Sequence, residues 1–184
     1  MCINPKEINN YNSLNRFARK NSVVILGSTY AKEMPVGELK QIFGIISDIY
    51  NRSLTDLSIF EADEVLNSIM KDLIPSKLIL QLGETDLDNN HSVDEVIEKL
   101  ISLIAMCKKA DKKIKIVLVS LNNLKNKEIE SEYNSRLEEI ARKNSCVFAD
   151  ITSTNTADNE DPTHINAFRL LKYFMADDIA LQII

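Results

Sequence analysis

The sequence contains few of the patterns that mark specialised protein classes. Its three cysteines, Cys2, Cys107 and Cys146, are an odd number at wide spacing and include no Cys-x-x-Cys pair, which argues against a disulfide framework or a structural zinc site. We therefore expect reduced thiols. No apolar run approaches the roughly 20 residues that span a bilayer, and the amino terminus lacks the basic and apolar segments of a secretory signal. These absences predict an intracellular, cytoplasmic protein without a membrane span.

Positive charge is also scarce. The chain carries 27 acidic and 22 basic residues, a net charge of −5, and has no lysine and arginine stripe with interleaved aromatic residues. Such a surface repels a phosphate backbone, so nucleic acid is not expected as a partner. A Gly-x-Ser-x-Gly elbow is absent, which disfavours the α/β-hydrolase fold. Internal repeats, low-complexity tracts and linkers are absent as well.

The length and composition are those of one soluble globular domain. A chain of 184 residues can bury one core but is too short for two ordinary domains. Its 45% apolar and 27% charged residues fit this class. We expect a single domain over residues 1–184, with an extra amino-terminal helix at about 6–20. That helix is indicated by Tyr11, Leu14, Phe17 and Ala18 at helical spacing.

Apolar runs alternate with helical patterns along the rest of the chain, which predicts an α/β fold with a five-stranded parallel sheet between two helical layers. Several runs are continuously apolar, as in strands buried on both faces. Ser92 and Glu95 form a capping-box pattern at the start of one helix. The predicted strands are 23–26, 48–51, 77–82, 114–120 and 146–151, and the predicted helices are 36–43, 61–73, 93–109, 127–143 and 165–181.

One of only two histidines lies in the tetrapeptide from Asp161 to His164. A hydroxyl is a poor nucleophile at pH 7 unless a base takes its proton, and a carboxylate that fixes the tautomer makes the base effective. The hydroxyls of Ser28 and Thr29 follow the first predicted strand directly. Because ligands of an open parallel sheet bind outside the carboxyl ends of its strands, we expect these groups to meet at one edge.

The polar segments at the strand ends resemble four short blocks of the SGNH, or GDSL-type, hydrolases. This flavodoxin-like, three-layer family contains esterases and acylhydrolases, and the resemblance covers about residues 23–179. The family blocks read Gly-Asp-Ser, Asn-Arg-Gly-x-x-Gly, Gly-x-Asn-Asp and Asp-x-x-His-x-Asn. Here the corresponding segments are Gly27-Ser28-Thr29, Asn51-Arg52-Ser53-Leu54-Thr55-Asp56, Gly83-Glu84-Thr85-Asp86 and Asp161-Pro162-Thr163-His164-Ile165-Asn166.

The resemblance implies a role for each block, although only the last block is intact. The family nucleophile corresponds to Thr29, with Ser28 as the alternative if the turn is one residue shorter. His164 corresponds to the base and Asp161 to its orienting carboxylate. The oxyanion and substrate would be held by the segment from Gly83 to Thr85 and by the Asp56 amide. Thr85 stands in place of the family asparagine, and Glu84 is expected to face the substrate.

These residues support two functions of different classes. The first is an acyl-ester hydrolase acting on a small-molecule ester, for which no metal or other cofactor is implied. The second is a catalytically silent relative that binds a small ligand or a protein partner, suggested by the altered nucleophile and donor positions. Ser28 and Thr29 would then cap a helix or turn. Asp86 is expected to satisfy buried amides, and His91 receives no role. The acyl group, the alcohol and the oligomeric state stay open.

Overall fold

The computed structural model describes residues 5–122, 124–152, 170, 173 and 174. Within them, five parallel strands form one sheet in the order β2-β1-β3-β4-β5. The α/β fold with a five-stranded parallel sheet is thereby confirmed. The strands are β1 (Val23–Gly27), β2 (Ile49–Asn51), β3 (Lys77–Gln81), β4 (Lys115–Val119) and β5 (Val147–Ala149).

Helices connect successive strands and cover both faces of the sheet. The longest, α6 and α7, lie where the sequence pattern predicts them. The helices are α1 (Pro5–Asn15), α2 (Thr29–Glu33), α3 (Val36–Ile42), α4 (Ala62–Asp72), α5 (Glu84–Asp88), α6 (Val93–Ala110) and α7 (Lys127–Lys143), with a 3₁₀ turn at Ile59–Glu61. Of the predicted last helix, 165–181, the described residues Leu170, Tyr173 and Phe174 are helical; the others lie outside the described residues.

Two apolar cores separate the three layers. Val24 and Leu26 of β1 point into the core shared with α1, α4, α6 and α7, whereas Val23 and Ile25 point into the core shared with α2 and α3. All five residues of β1 and of β3 are buried. This double burial explains the continuous apolar runs at residues 23–26 and 78–80.

Three short helical segments were not predicted from the sequence. They are α2, α5 and the 3₁₀ turn, and each has five residues or fewer. A segment this short does not complete the periodic pattern on which a sequence-based assignment depends. All three directly follow strand ends or loops that contribute to the candidate site.

No helix among the described residues is long and apolar enough to cross a membrane.

The predicted capping box at the start of α6 is present. The Ser92 hydroxyl accepts the Glu95 amide, while a Glu95 carboxylate oxygen accepts the Ser92 amide at 2.9 Å. Hydrogen bonds from the Ser92 amide and then from its hydroxyl hold the pKa of Glu95 below its ordinary value of 4.5. Both hydrogen bonds satisfy amides that would otherwise be unpaired at the start of the helix.

We predict that Ser92→Ala lowers the melting temperature by about 3 °C near pH 7. The pKa of Glu95 is depressed in the folded state. The stability that the Glu95 carboxylate contributes is therefore present above pH 4.5 and is lost as the pH falls through the folded-state pKa. The difference between wild type and variant should therefore shrink, without vanishing, in acid. Calorimetry between pH 3 and pH 7 measures it, with Ser135→Ala on the exposed face of α7 as the control. A difference that grew in acid would contradict the assignment.

Candidate active site

The candidate site lies at the carboxyl ends of β1 and β3. The chain runs from β1 to β2 on one side and then returns past β1 to β3, so the strand order reverses between β1 and β3. At such a point the connections leave in opposite directions and open a crevice. Three of the four segments identified from the sequence lie there: Gly27 to Thr29, Asn51 to Asp56, and Gly83 to Asp86.

Gly27 allows β1 to approach β3 closely just before the candidate nucleophiles. A Cβ at this position would lie 2.5 Å from the Gln81 carbonyl oxygen and 2.6 Å from the Ala31 Cβ. The Ser28 amide then donates to the same Gln81 carbonyl at 3.3 Å. The glycine thus lets the chain turn from the strand directly into α2, which places Ser28 and Thr29 at the strand end.

The Ser28 hydroxyl is buried and paired. Ser28 is only 1% exposed, and its Oγ lies 2.8 Å from the Oγ1 of Thr85 in a hydrogen bond between the two hydroxyls. Ser28 occupies the position before α2 but makes no side-chain cap bond to that helix. Thr85 therefore faces Ser28 across the loops.

The Thr29 hydroxyl is more accessible and contacts Asp56. Thr29 is half-buried, and its Oγ1 accepts the Asp56 amide at 3.0 Å. The same hydroxyl donates to the Asp56 Oδ1 at 3.1 Å. A partly exposed hydroxyl thus lies beside a backbone N–H at the carboxyl edge of the sheet. A backbone N–H beside a nucleophile is the kind of donor that stabilises a developing oxyanion.

The Asp56 residue, whose amide donates to Thr29, has a left-handed backbone. Its φ is 52°, in the region where glycine is favoured and where aspartate and asparagine are the most tolerated alternatives. The preceding residues are fixed to β1 and α2: the Leu54 amide donates to the Gly27 carbonyl at 3.1 Å, and the Asn51 side chain donates to the Ala31 carbonyl at 2.7 Å. The Asp56 side chain is exposed.

Gly83 begins the third loop with a backbone that only glycine adopts readily. Its φ is 104°, and a Cβ there would lie 2.9 Å from Val96 Cγ1 and 3.1 Å from the Tyr133 hydroxyl oxygen. Tyr133 is fully buried and donates to the Leu82 carbonyl at 2.7 Å. Burial, and then the charge of Asp86, raise the pKa of Tyr133, so this hydroxyl stays protonated and remains a donor.

Asp86 has the structural role predicted for it. One carboxylate oxygen accepts the Ser58 hydroxyl at 2.5 Å and the other accepts the Ile59 amide at 2.8 Å. The carboxylate thereby anchors the 3₁₀ turn under α5. Its neighbour Glu84 is half-buried in the first turn of α5. His91 packs against the ring of Phe60, with ring centroids 4.9 Å apart.

Asp161 and His164 lie outside the described residues. The described part of the site contains Ser28, Thr29, Asp56, Gly83 and Thr85. The sequence analysis placed Asn51 in the second block but gave it no role, whereas its carboxamide oxygen accepts the Ser53 amide at 3.0 Å and shapes the loop. An asparagine at the last position of a strand was the available signal. Over residues 5–122 and 124–152, no cluster of histidine, cysteine or acidic side chains could hold a metal ion.

Comparison with solved structures identifies the fold. A candidate platelet-activating-factor protein from Streptococcus pneumoniae superposes with a TM-score of 0.76 at 19% identity, covering 92% of each chain. A GDSL-like lipase from Bacteroides thetaiotaomicron gives 0.66 at 16% identity, covering 91% of this chain and 94% of the lipase. The esterase EstA from Pseudoalteromonas, inhibited by monoethylphosphonate, gives 0.65 at 16% identity, covering 83% of this chain and 96% of the esterase.

The chain therefore has the SGNH, or GDSL-type, hydrolase fold, as the sequence resemblance predicted. No protein-family model and no curated protein sequence matches the chain.

We predict that Gly83→Ala destabilises the protein by about 3 kcal/mol, because the new methyl meets Val96 and Tyr133 in a backbone conformation unfavourable to alanine. Gly37→Ala is the matched control: a Cβ there meets nothing within 4 Å, in the helix α3. That change should be neutral or stabilise by about 0.5 kcal/mol. Urea unfolding of both variants measures the effect. Equal stabilities would show that Gly83 imposes no constraint on the loop.

Proposed function

We propose that the protein is an acyl-ester hydrolase that uses the Thr29 hydroxyl as its nucleophile. The observation that carries this proposal is the contact between the Thr29 hydroxyl and the Asp56 amide at the carboxyl edge of an SGNH-type sheet. A nucleophile needs access to substrate and a nearby donor for the oxyanion. Thr29 is partly exposed and has such a donor at 3.0 Å.

Ser28 is the weaker candidate for the nucleophile. Its side chain is 1% exposed and its hydroxyl pairs with Thr85. A substrate carbonyl would have to displace this buried contact before reaching the Ser28 oxygen. Thr85 in turn supports the site from the side of β3, where its hydroxyl can donate to either Ser28 or a bound oxyanion.

In the proposed reaction, His164 takes the Thr29 proton as the Thr29 oxygen attacks the ester carbonyl carbon, while Asp161 orients the imidazole. The carbonyl oxygen becomes an oxyanion held by the Asp56 amide, with help from the Thr85 hydroxyl. Collapse of this intermediate breaks the bond to the alcohol, which leaves with the proton from His164. Water then attacks the acyl-threonine by the same route and releases the carboxylic acid. These roles of Asp161 and His164 rest on the intact Asp-x-x-His block.

Labelling with a fluorophosphonate followed by peptide mapping tests the nucleophile. We expect the label on Thr29, its loss in Thr29→Ala and its retention in Ser28→Ala. Thr29→Ser should label faster, since the threonine methyl restricts χ1 and crowds the attacking oxygen. Folded protein that carries no label, or carries it on Ser28, would overturn the assignment.

The two histidines provide a matched pair for testing the base. His164→Ala should reduce hydrolysis of short-chain p-nitrophenyl esters about a hundredfold or more, because a positioned base contributes this much. His91→Ala should leave the rate unchanged, because its ring packs against Phe60 and it lies in none of the four blocks. Equal rates for the two variants would exclude His164 as the base.

The Asp56 carboxylate should slow the reaction, because its negative charge lies beside the developing oxyanion. Asp56→Asn removes the charge and keeps a side chain that tolerates a φ of 52°. We expect the rate of phosphonylation to rise about fivefold, the effect of a nearby exposed charge. Asp63→Asn, which removes a carboxylate that pairs with Lys99, is the control. A slower Asp56→Asn variant would instead make the carboxylate part of the machinery.

A second function is favoured by one observation. Each candidate hydroxyl is already hydrogen-bonded: Ser28 to Thr85, and Thr29 to both the amide and the carboxylate of Asp56. Such a site suits a protein that binds a ligand at this edge of the sheet without turnover. It predicts thermal stabilisation by esters that are not consumed. Hydrolysis that is lost in His164→Ala would rule this function out.

A further inference from the structure

The α1 helix carries a polar stripe that contacts the loop holding the Asp56 amide. Glu7, Tyr11 and Asn15 are spaced by four residues and therefore lie on one face of the helix. Neighbouring Ile8 packs into the apolar core and fixes the helix against the domain. All three stripe residues make contacts that lead to the segment from Asn51 to Asp56.

The centre of the contact is Arg52, a buried cation. Arg52 is 6% exposed, and no carboxylate of the described part of the chain pairs with it. Its guanidinium lies 5.2 Å from the ring centroids of both Tyr11 and Tyr50. Its Nε donates to the Asn15 Oδ1 at 2.8 Å. Its Nη1 donates to the Asn51 carbonyl oxygen at 3.2 Å. The charge is therefore stabilised by two aromatic faces and two amide oxygens.

Tyr11 makes a second contact with the same loop. Its hydroxyl donates to the Ser53 carbonyl oxygen at 2.8 Å, so its ring and its hydroxyl hold adjacent residues of the loop. Burial lowers the pKa of Arg52, as expected for a cation removed from water. The aromatic and amide contacts offset part of the lost hydration. Without the contacts from Tyr11 and Asn15, the Arg52 cation would be less well stabilised in its buried position, and the loop that carries it would be less well held.

Glu7 reaches the loop through Lys32 of α2. The Lys32 Nζ lies 2.5 Å from the Glu7 Oε1 and 2.8 Å from the Thr55 Oγ1. Thr55 directly precedes Asp56. The polar stripe of α1 thus contacts the loop at Arg52 and Ser53 directly and at Thr55 through a lysine on the helix that Thr29 begins.

We propose that Glu7, Tyr11 and Asn15 are positioning residues, which hold the loop so that the Asp56 amide faces the Thr29 hydroxyl. This inference rests on the proposed function for its effect on catalysis, but the orientation of the amide is measurable without any substrate. A helix at the far end of the chain from the Asp-x-x-His block would then set the geometry of the oxyanion donor.

Tyr11→Phe is the sharpest test. It keeps the ring over Arg52 and removes only the hydroxyl that binds the Ser53 carbonyl. We expect hydrogen exchange of the Asp56 amide, followed by NMR, to accelerate about fivefold, the effect of losing one hydrogen bond. The kcat for ester hydrolysis should fall about as much with KM unchanged, since the amide acts on the oxyanion rather than on the bound ester.

Two further variants separate positioning from general stability. Asn15→Leu removes the acceptor for Arg52 and should act like Tyr11→Phe, whereas Asn15→Asp keeps an acceptor and should preserve both exchange and kcat. Ser13→Ala is the control on the same helix, because its exposed hydroxyl bonds to the Asn9 carbonyl of α1 itself. The exchange of the Val24 amide in the buried strand β1 reports on global opening.

The inference is supported if Asp56 exchange accelerates in Tyr11→Phe and Asn15→Leu while Val24 exchange does not. It is overturned if Asp56 exchange in both variants equals that in Ser13→Ala, or if the two amides accelerate together. Should the wild-type protein hydrolyse no ester, the proposed function fails, and the exchange measurements still decide whether α1 positions the loop.

Discussion

The hydrogen bond from the Asp56 amide to the Thr29 hydroxyl is the contact on which the candidate site depends. It joins a loop after β2 to the turn after β1, and it forms because both strands run parallel and end at the same edge. The polar groups at this edge are satisfied by one another: Thr29 pairs with Asp56 and Ser28 with Thr85. A chemical role for these hydroxyls therefore requires that substrate compete with existing partners.

Closely packed strands and turns support these contacts from beneath the edge of the sheet. β1 and β3 are buried along their whole lengths, and their close approach at Gly27 leaves no room for a side chain. On the other side of the crevice, Gly83 turns against Tyr133, whose hydroxyl binds the carbonyl just before it. Apolar strands thus support two glycine turns, and the turns present the polar groups.

Sequence patterns predicted much of this arrangement. Apolar runs predicted β1, β3 and β4, because strands buried on both faces carry no polar alternation. The long helices α6 and α7 followed from their periodicity, with a capping box at the start of α6. The convergence of loops followed from the parallel sheet, whose strands all end at one edge. The short helices α2 and α5 were missed, because five residues cannot show a helical period and their conformation depends on the loops that precede them.

The sequence by itself determined the parallel α/β architecture and the residue types at the strand ends, because both follow from local composition and spacing. Only the tertiary structure decided that Ser28 is buried against Thr85 while Thr29 meets Asp56, and that Arg52 lies between Tyr11 and Tyr50. Hydrogen bonds and cation–π contacts depend on separations of a few ångströms between segments distant in sequence. Those separations are set by strand register and turn geometry, which no local pattern specifies.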